Sequence, residues 1–266
     1  MTAAARRRHP FLSAEDRPRV LAHRGLVTPD AAASGIVENT FAAVAEAQAA
    51  GVTYIESDCH LTADGVVVLF HDDDLARVTG DPRAIADVRV RELEEIMSDR
   101  GGLITLPQAL DAFPDVRFNL DVKAEAAAVP VGRAVAPHAD RVLVTSFSDR
   151  RRRTALAAAR AAGAEIAPAT SAGSATVARL LAALAVRASP LVRRLLRDVD
   201  ALQLPERQGP LRVVTKGLVA AAHDAGVEVH VWTVNDPADM SRLLDLGVDG
   251  LVTDRADLAL ALVNGR

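Results

Sequence analysis

Thr53 to Asp74 reads TYIESDCHLTADGVVVLFHDDD, and it concentrates residues able to do chemistry. An apolar run from Thr53 to Ser57 predicts a buried strand. Glu56 and Asp58, two apart, then leave the same face of it. Neighbouring carboxylates at a strand end repel, and a divalent cation relieves that repulsion. Oxygen donors suit Mg²⁺ or Ca²⁺. After a turn at Thr62–Gly65 and a second apolar run, Val66–Phe70, comes His71, a side chain that moves protons near neutral pH. Carboxylate pair, loop and histidine together read as metal-assisted acid–base chemistry.

Other strand ends carry matching residues. His23 and Arg24 close the run RVLAH, and a guanidinium fork suits phosphate oxygens. Asp121 and Lys123 repeat the two-residue spacing within RFNLDVK. A lysine there is either one half of an ion pair or a neutraliser of charge on phosphoryl oxygens. Glu38 precedes a helix, as a first-turn carboxylate or a site carboxylate. Trp232, the one tryptophan, is either core or a flat wall for a substrate. His230 shares its strand face and is a candidate for a supporting role. His60 and Asp64 read as exposed loop residues, and Cys59 as packing.

The elements that must position these residues alternate strand with helix, which implies a parallel sheet. Strands are expected to begin near 19, 53, 117, 141, 165, 200, 228 and 249. The helices between them include Phe41–Ala50, Leu106–Phe113, Glu125–His138, Asp149–Ala162 and Ser174–Val186. Leu26–Val37 reads as an irregular loop. Asp58 to Val66 is too short for a parallel crossover, so Val66–Phe70 is expected as a hairpin arm. Eight strands then make a (β/α)₈ barrel with a hairpin-containing insertion after strand two, its working face at the strands' C-terminal ends. All the reactive residues fall at that end.

Composition narrows the class. The 266 residues are 50% hydrophobic but only 3% aromatic, so Ala, Val, Leu and Ile must build the core. A net charge of −4 argues against nucleic-acid binding. The single cysteine permits no internal disulfide and fits a reducing compartment. No apolar stretch reaches the ~18 residues of a membrane span, and no h-region follows Arg6–Arg8. The expectation is a cytoplasmic protein with no stable membrane insertion. Residues 1–18 are expected as a partly disordered tail and 19–266 as one domain.

AHRG at 22–25, ENTF at 38–41, IESD at 55–58, FHDDDL at 70–75, LDVK at 120–123, WTVN at 232–235 and VDGLVTD at 248–254 resemble the glycerophosphodiester phosphodiesterase family in order and spacing. The resemblance implies a (β/α)₈ barrel that hydrolyses small glycerophosphodiesters to glycerol 3-phosphate and an alcohol with a divalent metal. Its acid–base histidines fall on His23 and His71. Its metal ligands fall on Glu56, Asp58 and Asp121, with Glu38 close by. Its phosphate-gripping cations fall on Arg24 and Lys123, and its aromatic wall on Trp232. Three departures bear on headgroup preference: Asp121 where Glu is usual, Val37 where Pro is usual, and a longer loop from Leu26 to Val37. Asp121 also admits a phospholipase D-like enzyme acting on lysophospholipid or sphingomyelin through a cyclic phosphate. A barrel that only binds headgroups is the third reading; paired histidines argue against it.

Overall fold

The computed structural model describes residues 8–12 and 17–265. Eleven strands are found among them: β1 (Arg19–His23), β2 (Tyr54–Leu61), β3 (Val67–Leu69), β4 (Arg117–Val122), β5 (Val142–Thr145), β6 (Ala169–Thr170), β7 (Ala201–Pro205), β8 (Arg207–Gln208), β9 (Leu211–Arg212), β10 (Glu228–Trp232) and β11 (Gly250–Thr253). Eight run parallel in the order β6-β5-β4-β2-β1-β11-β10-β7. A parallel bridge between Ser171 and Ala201, with Asp200 N donating to Thr170 O at 2.7 Å, draws the two ends together into a nearly closed (β/α)₈ barrel. β3 pairs antiparallel with β2 through Cys59–Leu69 and His60–Val68, the expected hairpin arm.

Strand alternation divides the core in two. Leu21, Tyr54, Leu143, Ala169, Ala201 and Val252 face the barrel interior. Val20, Ala22, Ile55, Phe118 and Leu120 belong to the larger cluster beneath the helices. The helices are α1 (Pro29–Ala33), α2 (Phe41–Ala49), α3 (Ala76–Thr79), α4 (Val90–Met97), α5 (Leu106–Ala112), α6 (Ala128–Val135), α7 (Asp149–Ala161), α8 (Ser174–Ala185), α9 (Ser189–Leu196), α10 (Lys216–Asp224), α11 (Pro237–Asp245) and α12 (Ala256–Asn264). Phe70, Leu75, Ile85, Leu93 and Met97 give the insertion after β3 a small core of its own.

Several local expectations need correcting. The run at 165–168 is not a strand. Glu165, Ile166 and Ala167 are exposed, and Pro168 has no N–H for a ladder, so pairing begins at Ala169. The loop after β1 holds α1, whose Thr28 accepts from Ala31 N with Pro29 in the first turn. The helix expected at 125–138 starts only at Ala128, and from Ala136 it tightens into a 3₁₀ turn. His60 is buried, because the hairpin carries β2 on to Leu61.

Of the expected tail, residues 1–7 and 13–16 lie outside the described residues. Pro10–Leu12 forms a 3₁₀ turn with Phe11 and Leu12 buried against the barrel interior. Phe11 meets Tyr54 edge-on at 5.3 Å, and Tyr54 OH donates to Phe11 O at 2.9 Å. This segment stoppers the N-terminal end, the floor. Beside it, Glu228 accepts from Arg19 at 2.8 and 3.0 Å and from Arg17. His230 Nε2 lies 3.1 Å from Glu228, so His230 belongs beneath Trp232 in the floor network rather than at the mouth. Gly250 makes room for it: a Cβ there would lie 2.8 Å from the His230 ring.

Candidate active site

The mouth is built first by a tight turn after β1. Arg24 N donates to Glu56 O, and Asn39 N donates to Arg24 O, both at 2.8 Å. Arg24 and Asn39 are left-handed, with φ of 61° and 58°. Holding a non-glycine residue there costs on the order of 1 kcal/mol or more, and these bonds secure it. Gly25 between them is obligatory: φ is +91°, and a Cβ would lie 2.7 Å from the Ala43 carbonyl. The turn thereby lies directly on α2, whose N-cap is Thr40. That leaves Asn39 free to enter the site.

Glu56, Asp58 and Asp121 are all buried at the strand ends. Register places Asp58 opposite Asp121 on the neighbouring strand. Lys123 Nζ spans the two, 2.9 Å from Asp58 Oδ1 and 2.8 Å from Asp121 Oδ2. Asp58 Oδ2 accepts from Asn39 Nδ2 at 3.1 Å and lies 3.1 Å from Arg24 Nε. Glu56 Oε2 and Asp121 Oδ1 are buried without a hydrogen-bond partner. Burial pushes the Glu56 carboxyl well above its ordinary range, and the charges of Asp58 and Asp121 add to the rise. Burial raises Asp121 too, against the pull of Lys123. Burial alone would lower Lys123, but Asp121 and Asp58 hold it well above its ordinary value.

Among the described residues no three His, Cys, Asp or Glu side chains are gathered closely enough to chelate an ion as they stand. The donor set nevertheless fits a hard divalent cation. Three carboxylates converge, two of their oxygens are unpartnered, and burial, which disfavours bare charge, raises the proton affinities of Glu56 and Asp121.

Each mouth histidine is anchored through Nδ1 on a carboxylate. His23 Nδ1 is 2.6 Å from Asp254 Oδ1. Asp254 Oδ2 accepts from Asn235 Nδ2 at 2.7 Å. His71 Nδ1 is 2.6 Å from Asp72 Oδ1, and Asp72 Oδ2 accepts from Arg77 Nε at 2.6 Å. Arg77 continues to Glu38 Oε1 at 2.6 Å, which also lies 3.5 Å from Arg24. The bond to His23 is the first reason the Asp254 carboxyl is depressed. Bonds from His71 and Arg77 depress Asp72, overriding its burial. With Nδ1 fixed as donor, each ring presents Nε2 for proton transfer. His23 Nε2 lies 3.9 Å from Glu56 Oε2. His60 supports the second histidine from below, its Nε2 3.2 Å from His71 O.

Trp232 stands at the rim, edge-on to Phe147 at 5.9 Å between ring centres. Lys123 Nζ lies 5.6 Å from the Phe147 ring, which is 58% exposed. Ser146, by contrast, is spent on the backbone, donating to Val122 O. The nine candidate site residues, His23, Arg24, Glu38, Glu56, Asp58, His71, Asp121, Lys123 and Trp232, therefore lie in or beside one mouth, whereas His230 lies in the floor. Sequence reasoning gave no site role to Asn39, Asp72, Arg77, Phe147, Asn235 or Asp254. Four of these stand inside the motifs already quoted, at Asn39, Asp72, Asn235 and Asp254. That adjacency was the available signal.

Carboxylates, cations and two anchored imidazoles thus gather at the mouth of a (β/α)₈ barrel, an arrangement able to hold an anion and to move protons beside it. A model of the glycerophosphoryl diester phosphodiesterase family matches residues 23–258. The chain is 39% identical over 242 residues to the probable glycerophosphodiester phosphodiesterase 2 of Mycobacterium tuberculosis, covering 90% of this chain and 88% of that one. A solved phosphodiesterase from Oleispira antarctica, in complex with the product sn-glycerol-3-phosphate, has the same fold: TM-score 0.70 at 23% identity, covering 94% of this chain and 98% of that one. A more distant likeness is to the human lysophospholipase D, 30% identical over 132 residues, which cover 44% of this chain and 38% of that one. This chain belongs to the glycerophosphoryl diester phosphodiesterase family and is a phosphoric diester hydrolase. None of the helices among the described residues is long and apolar enough to cross a membrane.

Proposed function

We propose that the protein hydrolyses small glycerophosphodiesters to glycerol 3-phosphate and an alcohol, with a divalent cation, Mg²⁺ or Ca²⁺, held by Glu56, Asp58 and Asp121. When bound, that cation supplies Lewis-acid polarisation of the phosphate. Arg24 and Lys123 then hold the equatorial phosphate oxygens and offset the charge that grows on them. One histidine, His23 or His71, accepts the proton of the attacking oxygen through Nε2, and the other protonates the leaving alcohol. Asp254 and Asp72 keep the two rings oriented, and Trp232 with Phe147 forms an apolar wall beside the phosphate. Glu38, engaged by two guanidiniums, orients Arg24 and Arg77 rather than completing the ligand set. The observation that carries this reading is the pair of imidazoles, each anchored through Nδ1, flanking carboxylates with unpartnered oxygens. A reducing compartment such as the cytoplasm remains part of the reading, supported by one thiol, Cys59, buried in the core.

A second reading, phospholipase D-like cleavage of a lysophospholipid or sphingomyelin, draws support from the exposed Phe147 ring at the rim. A headgroup binder without turnover has no use for two anchored imidazoles. The test measures product release from glycerophosphocholine and lysophosphatidylcholine after chelator treatment, with Mg²⁺ or Ca²⁺ then restored. Metal-restored glycerol phosphate from the first substrate is the expected result. Turnover of the lipid alone, above all to a cyclic phosphate, replaces the first reading with the second.

A further inference from the structure

Outside the barrel, α7, α8 and α9 flank an open groove of about 510 Å³, whose lining also includes Asp198. This is a ligand-sized volume. Its walls carry Arg152, Arg153, Arg179, Arg194 and Arg197. The chain as a whole is acidic, at −4, so this gathering of guanidiniums runs against the overall balance. We propose that the groove is a binding site for a phosphate-bearing polyanion.

Arg152 separates this groove from an ordinary solvated charged face. It is only 6% exposed. Its NH1 donates to Thr170 Oγ1 at 3.2 Å, its NH2 reaches Asp149 Oδ1 at 3.3 Å, and its Nε is unpartnered. Asp149, whose oxygens also accept from Gly173 N, Thr176 N and Thr176 Oγ1 at 3.0–3.1 Å, sets one negative charge against it through a single contact at 3.3 Å. A buried, under-compensated cation at the back of a groove is costly unless an anion completes it. The outer walls offer the rest of the charge. Arg153, Arg179 and Arg194 are exposed and make no ion pair among the described residues. Arg197 has one loose partner, Asp198, at 3.5 Å. Phosphate oxygens are the ligand that several planar forks bind best.

The groove also has an apolar side. Leu191 is 44% exposed along one wall, with Leu156 and Leu195 beside it. Charged forks beside an apolar strip fit a phosphate carried on a larger body. A soluble nucleotide or polyphosphate and an anionic lipid headgroup share that chemistry.

The test is calorimetric titration with sodium pyrophosphate and with ATP. It is paired with co-sedimentation on phosphatidylglycerol vesicles against phosphatidylcholine vesicles. Arg24→Ala weakens phosphate binding at the mouth, so it isolates the groove. Arg179→Glu/Arg194→Glu changes only exposed groove residues. Binding of pyrophosphate, ATP or phosphatidylglycerol vesicles by Arg24→Ala is expected, with at least a tenfold loss when Arg179→Glu/Arg194→Glu is added to Arg24→Ala. Turnover of glycerophosphocholine should be unchanged in that double variant. Binding of vesicles but not soluble phosphates would assign the anion to a lipid, and the reverse to a free phosphate. Arg179→Gln/Arg194→Gln should give an intermediate loss. Affinity for every probe unaltered by either double variant, or no binding by Arg24→Ala below about millimolar, roughly −4 kcal/mol, would overturn the proposal.

Discussion

At the floor of the barrel Glu228 is surrounded by donors: Arg19 through two nitrogens, Arg17, and His230. Arg19 passes on to Tyr54 OH at 2.7 Å, and Phe11 seals the end. At the mouth, Glu56, Asp58 and Asp121 are equally buried but share one ammonium and one guanidinium, and two of their oxygens have no partner. The proton affinities move in opposite directions. Burial would raise Glu228, but bonds from His230 and Arg19 drive it far below the ordinary carboxylate range. Burial raises Glu56, and its carboxylate neighbours raise it further. The same strands thus hold a saturated ionic cluster at one end and an under-compensated one at the other. The first locks the barrel. The second leaves two carboxylate oxygens buried without a partner, at some cost in stability.

The contrast is sharpest in its largest expected effects. His71→Ala should lower turnover of glycerophosphocholine by roughly 10²–10⁴-fold while leaving the melting temperature nearly unchanged. Wild-type turnover in that variant would remove the acid–base role. Glu228→Ala should behave the opposite way. It strands the buried Arg19 guanidinium and should cost about 3–5 kcal/mol of unfolding free energy, with activity per folded molecule retained. Urea titration followed by circular dichroism reads the first quantity, and active-site titration the second.

Arg77→Ala should lower kcat by about 10–100-fold, in the range seen when the partners that orient site groups are removed. KM should change little, because Arg77 ties Asp72 to Glu38 without facing the phosphate. Arg77→Lys should recover part of the loss; equal effects of both variants on stability and none on kcat would make Arg77 merely structural.

The smallest shifts in stability are expected from charge-removing changes at the mouth and from pH. Glu56→Gln removes one of three crowded charges. It should raise metal-free stability by on the order of 1 kcal/mol at pH 7 while abolishing metal-dependent turnover. Unaltered stability would mean the mouth charges are better compensated than their contacts indicate. The pH dependence has opposite signs at the two ends. Glu228, lower when folded, adds stability that is complete above its unfolded value of about 4.3. That contribution is lost as pH falls through the folded value. Glu56, higher when folded, binds more protons folded than unfolded, so metal-free stability falls as pH rises above about 4.3 toward its folded value. Urea midpoints from pH 2 to 7 should therefore flatten on the acid side in Glu228→Gln and rise on the neutral side in Glu56→Gln.

Much of this was legible in the chain because it is local. Glu56 with Asp58 and Asp121 with Lys123 share faces by the two-residue period of a strand. The hairpin after β2 followed from a segment too short to cross over. Local pattern failed where something non-local or a single backbone group decided. Pro168 delayed β6, the hairpin partner buried His60, and Phe11 was drawn out of an expected tail by the empty end of the barrel.

Strand period and segment length thus fixed which residues face the interior and which end of the barrel they reach, since both are properties of neighbouring residues. Partnership was decided only by closure of the barrel. His23 meets Asp254 across 231 residues, and Arg77 meets Glu38 across 39. Whether a buried carboxylate is saturated, like Glu228, or keeps an unpartnered oxygen, like Glu56, depends on those distant partners. Electrostatic energy is set by separation in space and by burial, and neither is written in the order of the residues.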